Sequence, residues 1–167
     1  MIEQRNSTPL DDAPLPAGAA AGLVATIPMT IFMLLMHRLL PGWQKYALPP
    51  QQITQEMAQR TDLDQRLSQL QILGATLTLH FSYGAIMGSF YNAFTRKIAF
   101  PPILKGALFG LLVWAASYLG WLQVADFDAA APEEPVKRNL LMISAHLIWG
   151  MVAGMVSHLL DSGRDGD

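Results

Sequence analysis

Apolar residues in this chain gather into long runs almost free of charge, unlike the short alternation of a strand or the narrow stripe of a surface helix. The clearest run, residues 140–160, contains no Lys, Arg, Asp or Glu. At about 1.5 Å per residue, about 20 such residues cross a hydrocarbon core of about 30 Å. The same pattern gives further spans at about 18–40, 73–95 and 104–125. The chain is therefore expected to be all-α and polytopic, with four transmembrane helices in one membrane domain covering 1–167.

The spans echo one another. His146, Gly150, Gly154 and His158 are spaced by four and fall near one line on span four, and His80, Gly84, Gly88 and Asn92 repeat that line on span two. An aromatic follows each first histidine by three, Tyr83 in one case and Trp149 in the other. Spans one and three open alike, with Gly18, Gly22 and Leu23 against Gly106, Gly110 and Leu111. The chain thus reads as a duplicated two-helix hairpin, its copies related by a pseudo-twofold along the membrane normal. Glycines four apart let backbones approach closely, the main source of helix attraction in lipid. The simplest placement packs spans two and four together through Gly84, Gly88, Gly150 and Gly154.

The connections are polar. Residues 1–17 read as a flexible lead-in, and Pro28 should kink span one. Within 41–72, Trp43 and Tyr46 suit a membrane interface, and Pro49-Pro50 offers a start for a short helix. Thr61 with Asp64 resembles a capping box, after which Leu63, Leu67 and Leu70 lead helically into span two. The acids of 126–134 read as a solvated loop, Asn139 as the cap of span four, and the residues after Leu160 as a disordered tail. Arg96, Lys97 and Lys105 fall in a ten-residue turn between spans two and three, which places that turn and both termini in the cytoplasm.

Composition narrows function. Of 167 residues, 51% are hydrophobic and 14% charged, against about 25% charged in soluble domains. Mean hydropathy is +0.27. A net charge of -2 carries no basic footprint for nucleic acid. Without cysteine there are no disulfides, thiolate nucleophiles or iron–sulfur clusters.

The histidines are the candidate chemistry. His80 and His146 lie about two turns inside their helices at matching depth, where they would meet near the pseudo-twofold axis. Three readings are open. Each imidazole can bond a neighbouring carbonyl or hydroxyl and act as glue between helices. His80 and His146 can be the axial ligands of one b-type haem, with the glycines making room for the macrocycle. Asn92 facing His158 rules out a second bis-His site. A metal or proton site from His37, His80 and His146 is the third, although no carboxylate lies within a span to complete it. Trp114, Tyr118 and Trp121 read as an aromatic belt at the interface, or as a quinone or lipid platform. No Ser-His-Asp arrangement, phosphate loop or dinucleotide fingerprint is present, and no catalytic residue is assigned.

On these residues the chain resembles the YagU type of bacterial inner-membrane protein, a domain-of-unknown-function family. The likeness rests on the Gly18-x3-Gly22 span followed by Leu48-Pro49-Pro50, the early histidine of span two, Gly106-x3-Gly110, and His146-Leu-Ile-Trp149. It implies a bacterial multipass inner-membrane protein and brings no substrate, cofactor or functional residues. The combined expectation is a non-enzymatic accessory bundle that associates with lipid and with itself or a larger membrane complex. A single-haem or quinone-linked redox subunit is the alternative, and a small transporter a third.

Overall fold

A computed structural model of the chain describes residues 15–95, 97–132 and 134–164. Its long elements are α1 (Leu15–His37), α2 (Pro49–Arg60), α3 (Gln69–Thr95), α4 (Pro102–Ala116) and α6 (Val136–Arg164). A π-type turn, Ser117–Trp121, follows α4 and leads into the short α5, Leu122–Val124. No strand occurs among the described residues.

Among the described residues, three helices are long and apolar enough to cross a membrane: Leu15–His37, Pro102–Val124 and Val136–Ser162. The expected fourth, α3, has 27 residues and no charge, but its run of Thr, Ser, His, Tyr and Gln lowers its apolarity below theirs. The helix α1 is shifted three residues toward the N-terminus from the expected 18–40, so Leu15, Pro16 and Ala17 of the expected lead-in are helical, while α3 and α6 each start four residues before the expected spans. At its far end α6 continues to Arg164, where a disordered tail was expected after Leu160. The helix also runs on through Pro28 in α1. The lead-in over 1–14 and the residues 165–167 lie outside the described residues.

The pairing of helices departs from the expected placement. The glycine face of α3 packs on that of α1, and the glycine face of α6 packs on that of α4, so spans two and four are not joined through their glycines. Both partnerships are antiparallel: Gly18 meets Gly88 and Gly22 meets Gly84, while Gly106 meets Gly150 and Gly110 meets His146. A Cβ on any of these glycines would overlap a backbone or hydroxyl oxygen of the partner helix. Adjacent antiparallel helices joined by one connection are each other's nearest available surface, which favours pairing within a hairpin. The two helix pairs then meet chiefly through α1 and α6, while α3 and α4 touch only sparingly.

Local capping also differs. Thr61 closes α2, its hydroxyl donating back to the Met57 carbonyl at 2.8 Å. The capping box belongs instead to Ser68 and Gln71 at the head of α3, where the Ser68 amide donates to Gln71 Oε1 at 2.8 Å and the Gln71 amide to Ser68 Oγ at 3.3 Å. Asn139 is inside α6, and its Nδ2 holds the preceding loop through the carbonyls of Ala131 and Glu134. Glu134, read as a solvated acid, is buried against Arg138.

Candidate functional site

The gap left between α3 and α4 is a cavity of about 210 Å³. Its wall is built from α1 (Thr26, Met29), α3 (His80, Tyr83, Met87), the α4 end (Val113, Ser117, Tyr118) and α6 (Met142, His146, Trp149). The helix α2 roofs it with Ile53, Thr54 and Met57. Close contact at the glycines draws α3 to α1 and α4 to α6, and the large side chains one or two turns away keep the pairs apart where the cavity lies.

The roof is fixed at both ends. Arg138, 1% exposed, pairs with Glu134 and donates to the carbonyls of Gln44 at 3.0 Å, Tyr46 at 3.2 Å and Ala47 at 2.7 Å. It also donates to Gln52 Oε1 at 3.2 Å, and its guanidinium lies 3.7 Å from the centre of the Tyr46 ring. At the other end, Arg60 donates to the carbonyls of Ala125 and Asp126, pairs with Glu56 and lies over Phe127. The planar fork of Arg suits several fixed acceptors at once, which satisfies a charge otherwise costly to bury. The sequence signal for this clasp is slight: Arg138 follows Glu134 by four, the spacing of an ion pair on one helix face.

The structure brings His80 and His146 to the same cavity and leaves the other two histidines elsewhere. The Nδ1 of His146 donates to the Met142 carbonyl at 2.8 Å, which fixes the tautomer and leaves Nε2 as the acceptor of a neutral ring. Tyr118 packs edge-on to it, with ring centres 5.6 Å apart. The Nε2 of His80 is buried and has no hydrogen-bond partner among the described residues. His37 donates from Nε2 to the Tyr46 carbonyl at 3.0 Å, and His158 is exposed near the end of α6. The side chain of Asn92, expected to face it, lies outside the described residues.

The two aromatics that follow the histidines both reach across to the other helix pair. Trp149 Nε1 donates to the Gly22 carbonyl at 3.0 Å, and the Tyr83 hydroxyl is 2.7 Å from Ser117 Oγ. Of the aromatics expected as a belt, Tyr118 is buried in the cavity wall, while Trp121 stands at its exposed rim.

The glycine faces supply no room for a macrocycle, because the backbone of α1 occupies Gly84 and Gly88 and that of α4 occupies Gly150 and Gly154. Among the described residues, no group of three or more His, Cys, Asp or Glu side chains is placed to hold a metal ion. What the site offers is a mostly apolar chamber with two imidazoles and a Tyr–Ser hydroxyl pair among its polar points, the hydroxyls of Thr26 and Thr54 being turned to carbonyls of their own helices.

No curated protein and no solved structure matches the chain. One family model, described as "Protein of unknown function (DUF1440)", matches residues 37–155. That match takes in α2, α3, α4 and the histidine-bearing part of α6, more than half of the sequence, and it agrees with the resemblance to the YagU type. The chain belongs to the DUF1440 family of proteins of unknown function.

Proposed function

We propose that this protein is a non-enzymatic accessory bundle of the bacterial inner membrane, with four helices crossing as a duplicated hairpin and both termini in the cytoplasm. The carrying observation is how the polar side chains within the helices are used. Trp149, Tyr83, Thr26 and His146 all direct their hydrogen bonds to backbone or to a hydroxyl inside the bundle. Such groups stiffen a helical assembly in lipid instead of presenting a reactive surface. The outer faces of α1 and α4 remain broadly apolar, with Ile27, Ile31, Leu34, Leu108 and Leu112 exposed.

Two relations support the finer architecture. Gly84 and Gly88 of α3 lie against Gly22 and Gly18 of α1, so α3 shares the depth of a helix apolar enough to span. The antiparallel glycine pairing recurs in α4 and α6, as duplication of one hairpin requires. The accessory role is tested by placing a photocrosslinking residue at Ile31 or Leu108 in cells. A discrete adduct at twice the chain's mass, or at the mass of the chain plus one partner, is expected from at least one face. Adducts to lipid alone from both faces would remove the accessory role.

A further inference from the structure

The polar groups on the cavity wall are not all used in packing. His80 Nε2 is buried with no partner among the described residues, in a chamber whose wall is otherwise mostly apolar. A buried polar nitrogen left unpaired costs free energy that a bound hydrogen-bonding atom recovers. An engineered apolar cavity of about 150 Å³ holds benzene, so one of about 210 Å³ accommodates a ring system of one or two rings.

The wall also suits a flat ring. Tyr83, Tyr118, Trp149 and His146 supply aromatic faces and edges, and Met29, Met87 and Met142 supply polarisable side chains that adjust to shape. The way in is lateral. Met57, Leu79 and Trp121 line the cavity and are 44%, 45% and 42% exposed. They come from α2, α3 and the end of α4, the side on which the two helix pairs fail to close. An apolar rim there admits a molecule dissolved in the bilayer.

We propose that this cavity binds an apolar ring compound from the membrane through a hydrogen bond between one of its oxygens and His80 Nε2. Two sources share that chemistry. A quinone carbonyl accepts from Nε2–H, and a phenol hydroxyl donates to an unprotonated Nε2, since a neutral imidazole exists as either tautomer. Leu79, at the rim, is a gate residue, and His80 is the recognition residue.

The test is equilibrium binding to the full chain in mild detergent, corrected for partition into protein-free micelles. The probes are menadione, a naphthol and naphthalene, which share a two-ring frame and differ in their oxygen. Menadione or the naphthol should bind saturably, one molecule per chain, and whichever binds more tightly identifies the source as quinone or phenol. His80→Phe should weaken the oxygenated probe about tenfold, the worth of one hydrogen bond, and leave naphthalene unchanged. Leu79→Trp, at an exposed position that does not burden folding, should weaken all three. Absence of saturable binding overturns the proposal. So does naphthalene binding as tightly as the oxygenated probes, or Leu79→Trp leaving all three affinities intact.

Discussion

The indole Nε1 of Trp149 lies 3.0 Å from the carbonyl oxygen of Gly22, joining α6 to α1 at a position 127 residues away in sequence. The same carbonyl accepts from Thr26 Oγ1 at 2.8 Å. This hydrogen bond connects the two glycine-paired helix sets, and Trp149 is 2% exposed, so water cannot replace it. Trp149→Phe keeps most of the ring and removes the donor; it should lower stability by about 1 kcal/mol. Trp114→Phe is the control, because Trp114 Nε1 is buried with no partner among the described residues. That change should be neutral or stabilising. Thermal unfolding of both variants in detergent checks the pair, and equal losses would contradict the assignment.

The glycine faces give a sharper contrast. A Cβ on Gly150 would overlap the Gly106 carbonyl, and one on Gly22 would overlap the Gly84 carbonyl. Nothing lies within 4 Å of a Cβ on Gly74, which is also in a helix. Gly150→Leu and Gly22→Leu should each abolish a folded, monodisperse product. Gly74→Ala should be tolerated, or raise stability by up to about 1 kcal/mol through helix propensity. Size-exclusion profiles of the three variants decide this, and a well-folded Gly150→Leu protein would refute the observed pairing.

How far these relations were legible in the sequence depends on their range. Uncharged apolar runs show where helices lie, because backbone in lipid must satisfy itself within the segment. The His-x2-aromatic-Gly-x3-Gly echo pointed to the glycines and to His80 and His146, but not to which glycine face meets which. Any two small-residue faces can pack, and only the assembled bundle selects α1 with α3 and α4 with α6. Thr61 and Ser68 both carry a plausible cap signal. The structure uses Ser68, because Thr61 is the C-terminal cap of α2 and its hydroxyl bonds backward. The roofed cavity left no sequence signal, since its wall is collected from helices far apart in the chain.

The burial of Arg138 and Glu134 was not legible in the sequence, which reads the acids of 126–134 as solvated, because the other acceptors of Arg138 are the carbonyls of a distant connection. Removing one member of a buried pair strands the other charge, at a cost of about 3–5 kcal/mol. Arg138→Met should therefore destabilise strongly and free the 41–60 connection for proteolysis. Glu134→Gln combined with Arg138→Met should cost less than the two single changes added together. A double-mutant cycle by thermal unfolding measures this, and strict additivity would mean that the two side chains act independently.

Tyr46 carries the pH dependence of the same clasp. Burial raises its phenol, and the Glu134 carboxylate accepting its hydroxyl proton at 2.7 Å raises it further, to about 12 against the ordinary 10.0. The native state thus keeps a proton that the unfolded chain gives up earlier. The resulting stability is whole below pH 10, and it is lost as pH rises through about 12. Spectroscopic titration of phenolate should show one fewer late-titrating tyrosine in Tyr46→Phe than in the parent chain, and Tyr46→Phe should flatten the alkaline loss of stability. An unchanged alkaline profile in that variant would show that the contact does not set it.

Topology follows from whether α3 crosses the membrane. Gly18 and Gly22 meet Gly88 and Gly84 in antiparallel order, so α3 returns along the length of α1. If both span, the segments near residues 100 and 130 lie on opposite sides of the membrane, with 100 in the cytoplasm by the charge of Arg96, Lys97 and Lys105. If α3 stayed on the surface, the chain would cross three times, and residue 100 would share the side of the α2 connection. Residue 130 would still be opposite, so the fusions must be compared with one at residue 62, between α2 and α3. Reporters sensitive to compartment should give a cytoplasmic signal at 100 and an external signal at both 62 and 130. Matching signals at 62 and 100 would reduce the crossings to three and leave the glycine contact between α1 and α3 without a membrane to hold it.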